Sequence, residues 1–159
     1  MKIKLICVGR LKEDYFKAAA DEYIKRLSRF HKLEIIEIAE DTKIENPSEA
    51  EKQIAMENEC QKILKTIGKN SYVVALAIEG TNISSEDLAV KLEKLALGEK
   101  SEVCFIIGGS FGLSPKIINT ADFLLSFSKM TFTYQLSRVI FLEQLYRASK
   151  INAGECYHK

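Results

Sequence analysis

The chain has 159 residues, 47% of them hydrophobic and 28% charged, and its formal net charge is +1. This length and composition predict one soluble globular domain, residues 1–159, and the near-neutral charge argues against a general polyanion binder. No window approaches the roughly 18 apolar residues of a membrane span, and the N-terminus lacks the apolar stretch of a secretory signal. We therefore expect a cytoplasmic protein with no membrane partner.

The hydrophobic pattern alternates between short apolar runs and helical spacing five times along the chain. The predicted strands are 2–9, 33–40, 71–80, 103–109 and 123–128, and the predicted helices are 13–30, 47–67, 84–97, a short one from 115, and 135–151. Asn46-Pro47 supplies an N-cap and a proline at the first position of the second helix. Ser84 with Asp87 resembles a capping box for the third helix, and Ser114-Pro115 begins the fourth.

Five strand–helix units predict an α/β fold, with a mostly parallel sheet and helices on both faces, because parallel strands need crossovers that helices supply. Ligands of such sheets bind beyond the carboxyl ends of the strands. Three strand exits are therefore candidate binding segments: 76–80, 108–112 and 127–132.

The second exit is a glycine turn that contains Gly108, Gly109 and Gly112. Glycine lets a backbone approach a ligand closely because it has no Cβ and tolerates positive φ. The GG-x-x-G spacing departs from the dinucleotide pattern G-x-G-x-x-G, and the chain has no Walker-type phosphate loop. A purely structural turn would use the same glycines, so both interpretations stay open.

The third exit, SFSKMTF at 126–132, mixes hydroxyls and one lysine with large apolar side chains. This mixture suits a flat apolar ligand with a hydrogen-bonding edge. A set of aromatic and methionine side chains is also typical of ordinary core, which is the alternative interpretation.

The helical segment 138–148 is apolar on more than one face, unlike the helix of a protein surface. It is either buried within one chain or packed against a second copy, and in a chain this short we favour a homodimer contact. Its first residue, Arg138, is a candidate for reaching a phosphate or a partner chain.

The tail GECYHK follows this helix, and chain ends are ordinarily frayed. Tyr157 offers a stacking ring, and His158 offers a group that titrates near neutrality. The two together suit an enzyme that handles a nucleic acid base.

Charges are segregated along the chain, since both ends are basic and the middle is acidic. If the ends fold side by side, one face would attract phosphates, although solvated helices often carry such imbalances without a partner. The four cysteines show no C-x-x-C spacing and the chain has only two histidines, so neither a metal site nor a disulfide framework is predicted.

The motifs LICVGRLKE, IIGGSFGL, LSFSKMTF, RVIFLEQLYRA and a terminal YHK together resemble the ribosomal RNA large subunit methyltransferase H family. The resemblance spans essentially the whole chain. It implies a SPOUT-class methyltransferase that uses S-adenosyl-L-methionine (AdoMet), has a trefoil knot in its C-terminal part and acts as a homodimer. Members of this family methylate N3 of a pseudouridine in 23S rRNA on assembled ribosomes.

Carried over to this chain, the resemblance implies that AdoMet contacts the three strand exits, at Leu76, Gly108, Phe127, Ser128, Lys129, Met130, Thr131 and Phe132. We hypothesise that Tyr157 and His158 order the target base, with His158 accepting its imide proton. For RNA binding we select Arg10, Lys12, Arg138 and Lys159. Thr133-Tyr134 stands where many members of the family have Pro-His, so a catalytic histidine at that position is not expected.

Two other functions remain as alternatives at this point. A non-catalytic nucleotide-binding or ribosome-assembly module would explain the glycine turn and the basic ends, but not the hydroxyl-rich exit or the tail. A phosphate-handling metabolic enzyme would need a lysine-bearing loop or metal ligands that the sequence does not offer. Because the chain is small, we expect its target to be recognised through the shape of an assembled particle.

Overall fold

The computed structural model describes residues 1–41 and 45–157 and contains the five predicted strand–helix units. The strands are β1 (Lys2–Val8), β2 (Lys32–Ile38), β3 (Ser71–Asn82), β4 (Glu102–Ile107) and β5 (Phe123–Ser126). The helices are α1 (Asp14–Leu27), α2 (Glu49–Thr66), α3 (Ser85–Ala96), α4 (Pro115–Thr120) and α5 (Tyr134–Asn152). The predicted alternation is therefore confirmed, with small shifts at the ends of the elements.

The five strands form one sheet in the order β2-β1-β4-β3-β5, and every neighbouring pair is parallel. All six residues of the central strand β4 are buried. Along β4, Val103, Phe105 and Ile107 point into one apolar core, and Cys104 and Ile106 point into a second core on the opposite face. The prediction of a parallel sheet covered on both faces is confirmed.

The helices divide between these two cores. Buried apolar residues of α1, α3 and α5 belong to the first core, and Cys60 and Ile63 of α2 with Ile117 of α4 belong to the second. The two-sided cover explains why β1 and β4 are nearly continuous apolar runs rather than alternating ones.

Helix α5 is apolar on several faces because it is packed between α1, α3 and the sheet. Phe141, Leu142 and Leu145 are fully buried, and the Phe141 ring lies 4.5 Å from that of Phe105, centroid to centroid. Burial within one chain thus accounts for much of the apolar surface of this helix. The homodimer remains a prediction.

Serine side chains cap three helices, two of them at the predicted positions. Ser84 forms a capping box with Asp87 at the start of α3, and Ser114 caps α4. The predicted start of α2 at Asn46-Pro47 is wrong, because Ser48 caps that helix. The Glu51 N–H donates to the Ser48 hydroxyl, and the Glu51 carboxylate accepts from the Ser48 N–H at 2.7 Å.

Strand β3 runs longer than predicted and is interrupted where it passes β5. Leu76 and Thr81 both pair with Leu125, so residues 77–80 bulge out of the ladder between them. At Gly80 the two backbones come so close that a Cβ would lie 2.8 Å from the carbonyl carbon of Leu124. The trefoil knot implied by the family resemblance stays a prediction.

Three further features of residues 1–41 and 45–157 concern membrane spans, metal ligands and cysteines. No helix in these ranges has the length and apolar character needed to cross a bilayer. In the same ranges, histidine, cysteine and carboxylate side chains do not gather into a group of three or more that could hold a metal ion. The four cysteines are free thiols, with Cys156 exposed and the other three buried.

Candidate active site

A cavity of about 860 Å³ lies at the carboxyl ends of β3, β4 and β5, where the three candidate exits meet. Its wall consists of residues 76–79, 107–113, 125–128 and 130–135, with Lys12, Ile118 and Ser137. Every residue that the family resemblance assigns to AdoMet lines this cavity except Lys129, which does not. The structure therefore brings together three segments that are far apart in sequence.

The glycine turn is tight because its two ends touch. A Cβ on Gly108 would lie 2.7 Å from the carbonyl carbon of Gly112, so no other residue fits there without moving the turn. Gly112 has a φ of +81° and donates its N–H to the carbonyl of Gly109 at 3.1 Å. The glycines are thus structural, and they also expose bare backbone to the cavity.

The exit of β5 is held by hydroxyl groups. The Ser126 hydroxyl donates to the carbonyl of Ser128 at 3.0 Å, and the Met130 N–H donates to the Ser128 hydroxyl at 3.0 Å. These bonds fold 126–130 into a compact loop, while the Met130 side chain remains 74% exposed. The serines that looked unusual in the sequence fix the shape of this wall.

The first turn of α5 forms a further part of the wall. The Thr133 hydroxyl accepts the N–H of Leu136 at 3.4 Å and caps the helix. Tyr134 lines the cavity, and its hydroxyl is buried with no hydrogen-bond partner among residues 1–41 and 45–157. The Thr133-Tyr134 departure from the family pattern therefore falls directly on the cavity.

Two of the predicted RNA-binding residues lie beside this cavity. Lys12 lines it, and the Lys12 N–H donates to the Gln135 side-chain oxygen at 2.6 Å. Arg10 is two residues earlier in the same loop, with its side chain 79% exposed and its Nε 3.9 Å from the Glu37 carboxylate. Both side chains are therefore open to an incoming polyanion.

Arg138, which we also predicted to contact RNA, is instead a buried residue. Its side chain is only 3% exposed, and its guanidinium faces the protein interior. One nitrogen donates to the Glu37 carboxylate at 2.5 Å and another donates to the carbonyl of Gly9 at 2.7 Å. Both terminal nitrogens of the guanidinium thus donate to internal acceptors rather than to a phosphate.

Tyr157 lies away from the cavity of its own chain. Its hydroxyl donates to the Glu143 carboxylate at 3.3 Å, and its ring stands edge-on to Tyr146 at 4.9 Å. Burial, and then the nearby Tyr23 and Glu143, raise the pKa of Tyr157 to about 12, so the phenol stays protonated at neutral pH.

Glu143 lies about 14 Å further along α5 than the cavity residue Tyr134, at about 1.5 Å per helical residue. Within one protomer, the structure thus does not bring Tyr157 to the predicted AdoMet residues. His158 and Lys159 lie outside the described residues, so their predicted roles stay predictions.

Three residues that shape the site lie within the predicted exits, although the sequence did not single them out as site residues. Ile78 and Glu79 line the cavity from the bulge of β3, and Ser110 lines it from the glycine turn. The Ser110 hydroxyl donates to the Glu40 carboxylate at 2.7 Å and ties the turn to the end of β2. A bulge and a contact across 70 residues leave no periodic signal in the sequence.

Two solved structures are similar to this one in fold. A probable methylase family protein from Haemophilus influenzae has a TM-score of 0.58 and 12% identity, covering 99% of this chain and 70% of that chain. A probable methyltransferase from Bordetella pertussis has a TM-score of 0.57 and 12% identity, covering 92% of this chain and 95% of that chain. At such low identity the likeness concerns the fold alone.

Sequence comparison is more specific. Residues 1–158 match the family model described as predicted SPOUT methyltransferase. Proteins named ribosomal RNA large subunit methyltransferase H from Clostridium novyi and Clostridioides difficile are 53% and 52% identical to this chain, each over 100% of both sequences. The chain therefore belongs to the ribosomal RNA large subunit methyltransferase H family, within the SPOUT class of methyltransferases.

Proposed function

We propose that this protein transfers a methyl group from AdoMet to N3 of a pseudouridine in 23S ribosomal RNA. The observation that carries the proposal is the cavity, since it is lined by nearly all of the residues that the family resemblance assigns to AdoMet. The family supports the same reaction class, because its full-length relatives are named as methyltransferases of large-subunit rRNA.

The residues present fit AdoMet in size and chemistry. The cavity volume of about 860 Å³ lies within the range of small-molecule sites. Leu76, Phe127 and Phe132 would supply apolar contacts for the adenine ring, and the bare backbone at Gly108 would allow close approach of polar groups. AdoMet, when bound, supplies a methyl group on a positively charged sulfur that is ready for in-line displacement.

The contribution of the protein to such a transfer is mainly alignment. Holding the two reactants in line accounts for roughly 7 to 11 kcal/mol of the barrier in well-oriented reactions. The rigid loop 126–130 and the capped first turn of α5 provide fixed walls for this purpose. Both walls are already formed by internal hydrogen bonds, so little reorganisation is needed.

The imide proton of the base must leave as the methyl group arrives. Tyr157, with a pKa of about 12, acts as a hydrogen-bond donor rather than as a base. We assign the proton to His158, which receives it directly or through a water molecule. A His158→Ala variant with an unchanged single-turnover rate would remove that assignment.

We further propose a homodimer in which the tail of one protomer completes the cavity of the other. Two observations favour this arrangement. Tyr157 does not line the cavity of its own chain, and apolar side chains are exposed around the cavity, with Ile78 51%, Met130 74% and Leu136 36% accessible. A second copy that covered these side chains would bring the C-terminal tail of the partner protomer near the cavity.

Mixing two inactive variants tests this shared site. Gly108→Ala damages the cavity, and Tyr157→Ala damages the tail. If the tail acts on the partner's cavity, a mixed dimer retains one intact site, and random mixing restores about a quarter of the wild-type activity. If each site uses its own tail, no mixed dimer contains an intact site, and mixing restores nothing.

Arg10 and Lys12, with Lys159 from the tail, are proposed to contact rRNA phosphates beside the cavity. Neutralising Arg10 or Lys12 should lower the salt slope of RNA binding by about one each. Lys69 is an exposed lysine at the opposite end of the sheet, so Lys69→Ala serves as the matched control. An equal change in slope for Lys69→Ala would show that the cavity face is not the RNA-binding face.

The activity itself is tested by transfer of labelled methyl from AdoMet to assembled 70S ribosomes and to isolated 23S rRNA, both from a strain that lacks the protein. We expect incorporation on the assembled particles, which present a defined shape to a small enzyme in the cytoplasm. AdoMet binding without incorporation on either substrate would instead favour a non-catalytic binding module.

A further inference from the structure

Four residues form a cluster behind the cavity wall, at the carboxyl ends of β1 and β2, in which Gly9 and Arg138 are buried, Tyr134 is half-buried and the Glu37 side chain is 37% exposed. They are Gly9, Glu37, Tyr134 and Arg138, and we refer to them as the Arg138 cluster. Only Tyr134 lines the cavity, while the other three lie behind it. The cluster joins the two strand ends to the first two turns of α5.

Arg138 is the hub of this cluster. Its guanidinium donates to the Gly9 carbonyl at 2.7 Å and to the Glu37 carboxylate at 2.5 Å. Gly9 has a φ of +88° and donates its own N–H to the carbonyl of Ile38 at 2.8 Å. One side chain of α5 is thereby bonded to the peptide that follows β1 and to a carboxylate near the end of β2.

Packing between Tyr134 and Gly9 makes the same connection. A Cβ on Gly9 would lie 2.6 Å from Cε2 of Tyr134, so the ring rests directly on the peptide that Arg138 binds. Tyr134 and Arg138 are four residues apart and share one face of α5. Neither side chain can move far without disturbing the other.

These contacts determine where the cavity wall stands. Residues 130–135 of the wall continue into α5, and the Gln135 side chain accepts the Lys12 N–H from the loop that follows Gly9. A shift of the first turn of α5 along the helix axis, or a rotation about it, would therefore move this whole segment of the wall. The pair of buried Arg138 with half-exposed Glu37 is weak evidence for stability, but together with the Gly9 bond it holds the guanidinium at two points.

We infer that Arg138 is a positioning residue, which holds the first turn of α5 in the place where the cavity binds AdoMet. This inference rests on the proposed function, because it concerns the same cavity. It also gives Arg138 an internal role in place of the RNA contact that we expected from the sequence, because the side chain is buried.

The test compares Arg138 with a buried charge that has no contact with the cavity. Glu102 is 4% exposed at the amino ends of the strands, where it pairs with Lys2 and Lys4. Thermal stability and AdoMet affinity are measured for Arg138→Met, Arg138→Lys and Glu102→Gln, with calorimetric titrations done well below the lowest melting temperature.

We expect Arg138→Met to weaken AdoMet binding by about tenfold to a hundredfold, because small displacements of a binding wall cost this much. Arg138→Lys keeps the charge but not the two-pronged donor, so its loss should be smaller. Glu102→Gln should lower stability and leave the affinity unchanged.

Two results would overturn the inference, and they differ from each other. Wild-type protein that fails to bind AdoMet would remove the proposed function and this inference together. Wild-type binding with unchanged affinity in Arg138→Met would remove only the inference and leave Arg138 as a structural residue. If Arg138→Met does not fold, the same comparison is made with Arg138→Lys and with Glu37→Gln, which keeps an oxygen acceptor.

Discussion

Gly108 and Gly112 belong to one turn, but the structure requires glycine at each for a different physical reason. At Gly108 the φ angle is ordinary and the obstacle is space, since a Cβ would meet the backbone of Gly112. At Gly112 there is open space within 4 Å and the obstacle is the φ of +81°. Sequence spacing alone gives no means to separate these two requirements.

We predict different outcomes for alanine at the two positions. Gly108→Ala should displace the turn, lower the free energy of unfolding by about 1 to 3 kcal/mol and weaken AdoMet binding. Gly112→Ala should cost about 1 to 2 kcal/mol through its backbone conformation, with a smaller effect on affinity. Urea denaturation and calorimetric titration of both variants check this, and a Gly108→Ala protein that matches wild type in both measurements would contradict the described turn.

Among the helices, α2 and α5 show how far local signals reach. Asn46 and Ser48 are both good N-caps, and each has a glutamate three residues later, so the sequence does not decide between them. In the structure Asn46 adopts a φ of +54°, which asparagine tolerates, and Ser48 makes the cap. For α5, periodicity showed that several faces are apolar, but not that α1 and α3 cover much of that surface within one chain.

The observed start of α2 predicts the effect of one substitution. Ser48→Ala removes a side chain that accepts from the Glu51 N–H, and it should lower the free energy of unfolding by about 1 kcal/mol. Ser48→Asp keeps an acceptor at the cap and is the control. The measurement is the urea midpoint of each variant, and a Ser48→Ala protein as stable as wild type would argue for a different helix start.

At the scale of the whole molecule, a polar network centred on a buried charge lies at each end of the parallel sheet. The Arg138 cluster lies at the carboxyl ends, beside the cavity. At the amino ends, Glu102 accepts a hydrogen bond from the Ser71 hydroxyl at 2.6 Å and pairs with Lys2 at 2.7 Å and Lys4 at 3.2 Å. The first network serves the site, and the second ties together the starts of β1, β3 and β4.

The Glu102 network should make stability depend on pH in acid. Burial alone would raise the pKa of Glu102, but the hydrogen bonds from Lys2, Ser71 and Lys4 outweigh it and lower the pKa from 4.5 to about 2. Because the folded-state pKa is the lower one, the contribution of Glu102 is complete above about pH 4.5 and is lost as the pH falls toward 2.

Urea midpoints of wild type and Glu102→Gln across this acid range check the prediction. Near neutral pH the variant should be less stable by about 1 to 3 kcal/mol, since Lys4 loses its buried partner. Below pH 4.5 the urea midpoints of the two proteins should approach each other. If the two midpoints instead differ by the same amount at every pH, Glu102 does not titrate as described.

The sequence predicted the order of the elements, the two-sided parallel sheet and the three exits that form the cavity. These follow from local periodicity, because the spacing of apolar residues reports which side of an element is buried. Local periodicity does not report contacts between segments that are far apart in the sequence. The ring of Tyr134 on Gly9 and the bonds of Arg138 to Gly9 and Glu37 depend on how the crossovers place α5 over β1 and β2.

The central claim is that this cavity supports methylation of N3 of a pseudouridine in 23S rRNA. The most direct measurement is nucleoside mass spectrometry of 23S rRNA from cells that lack the protein, carrying either the wild-type gene or the Gly108→Ala gene. The account predicts N3-methylpseudouridine with the wild-type gene and a marked loss of it with the variant. Ribosomal RNA whose nucleosides are the same with and without the wild-type gene would contradict it.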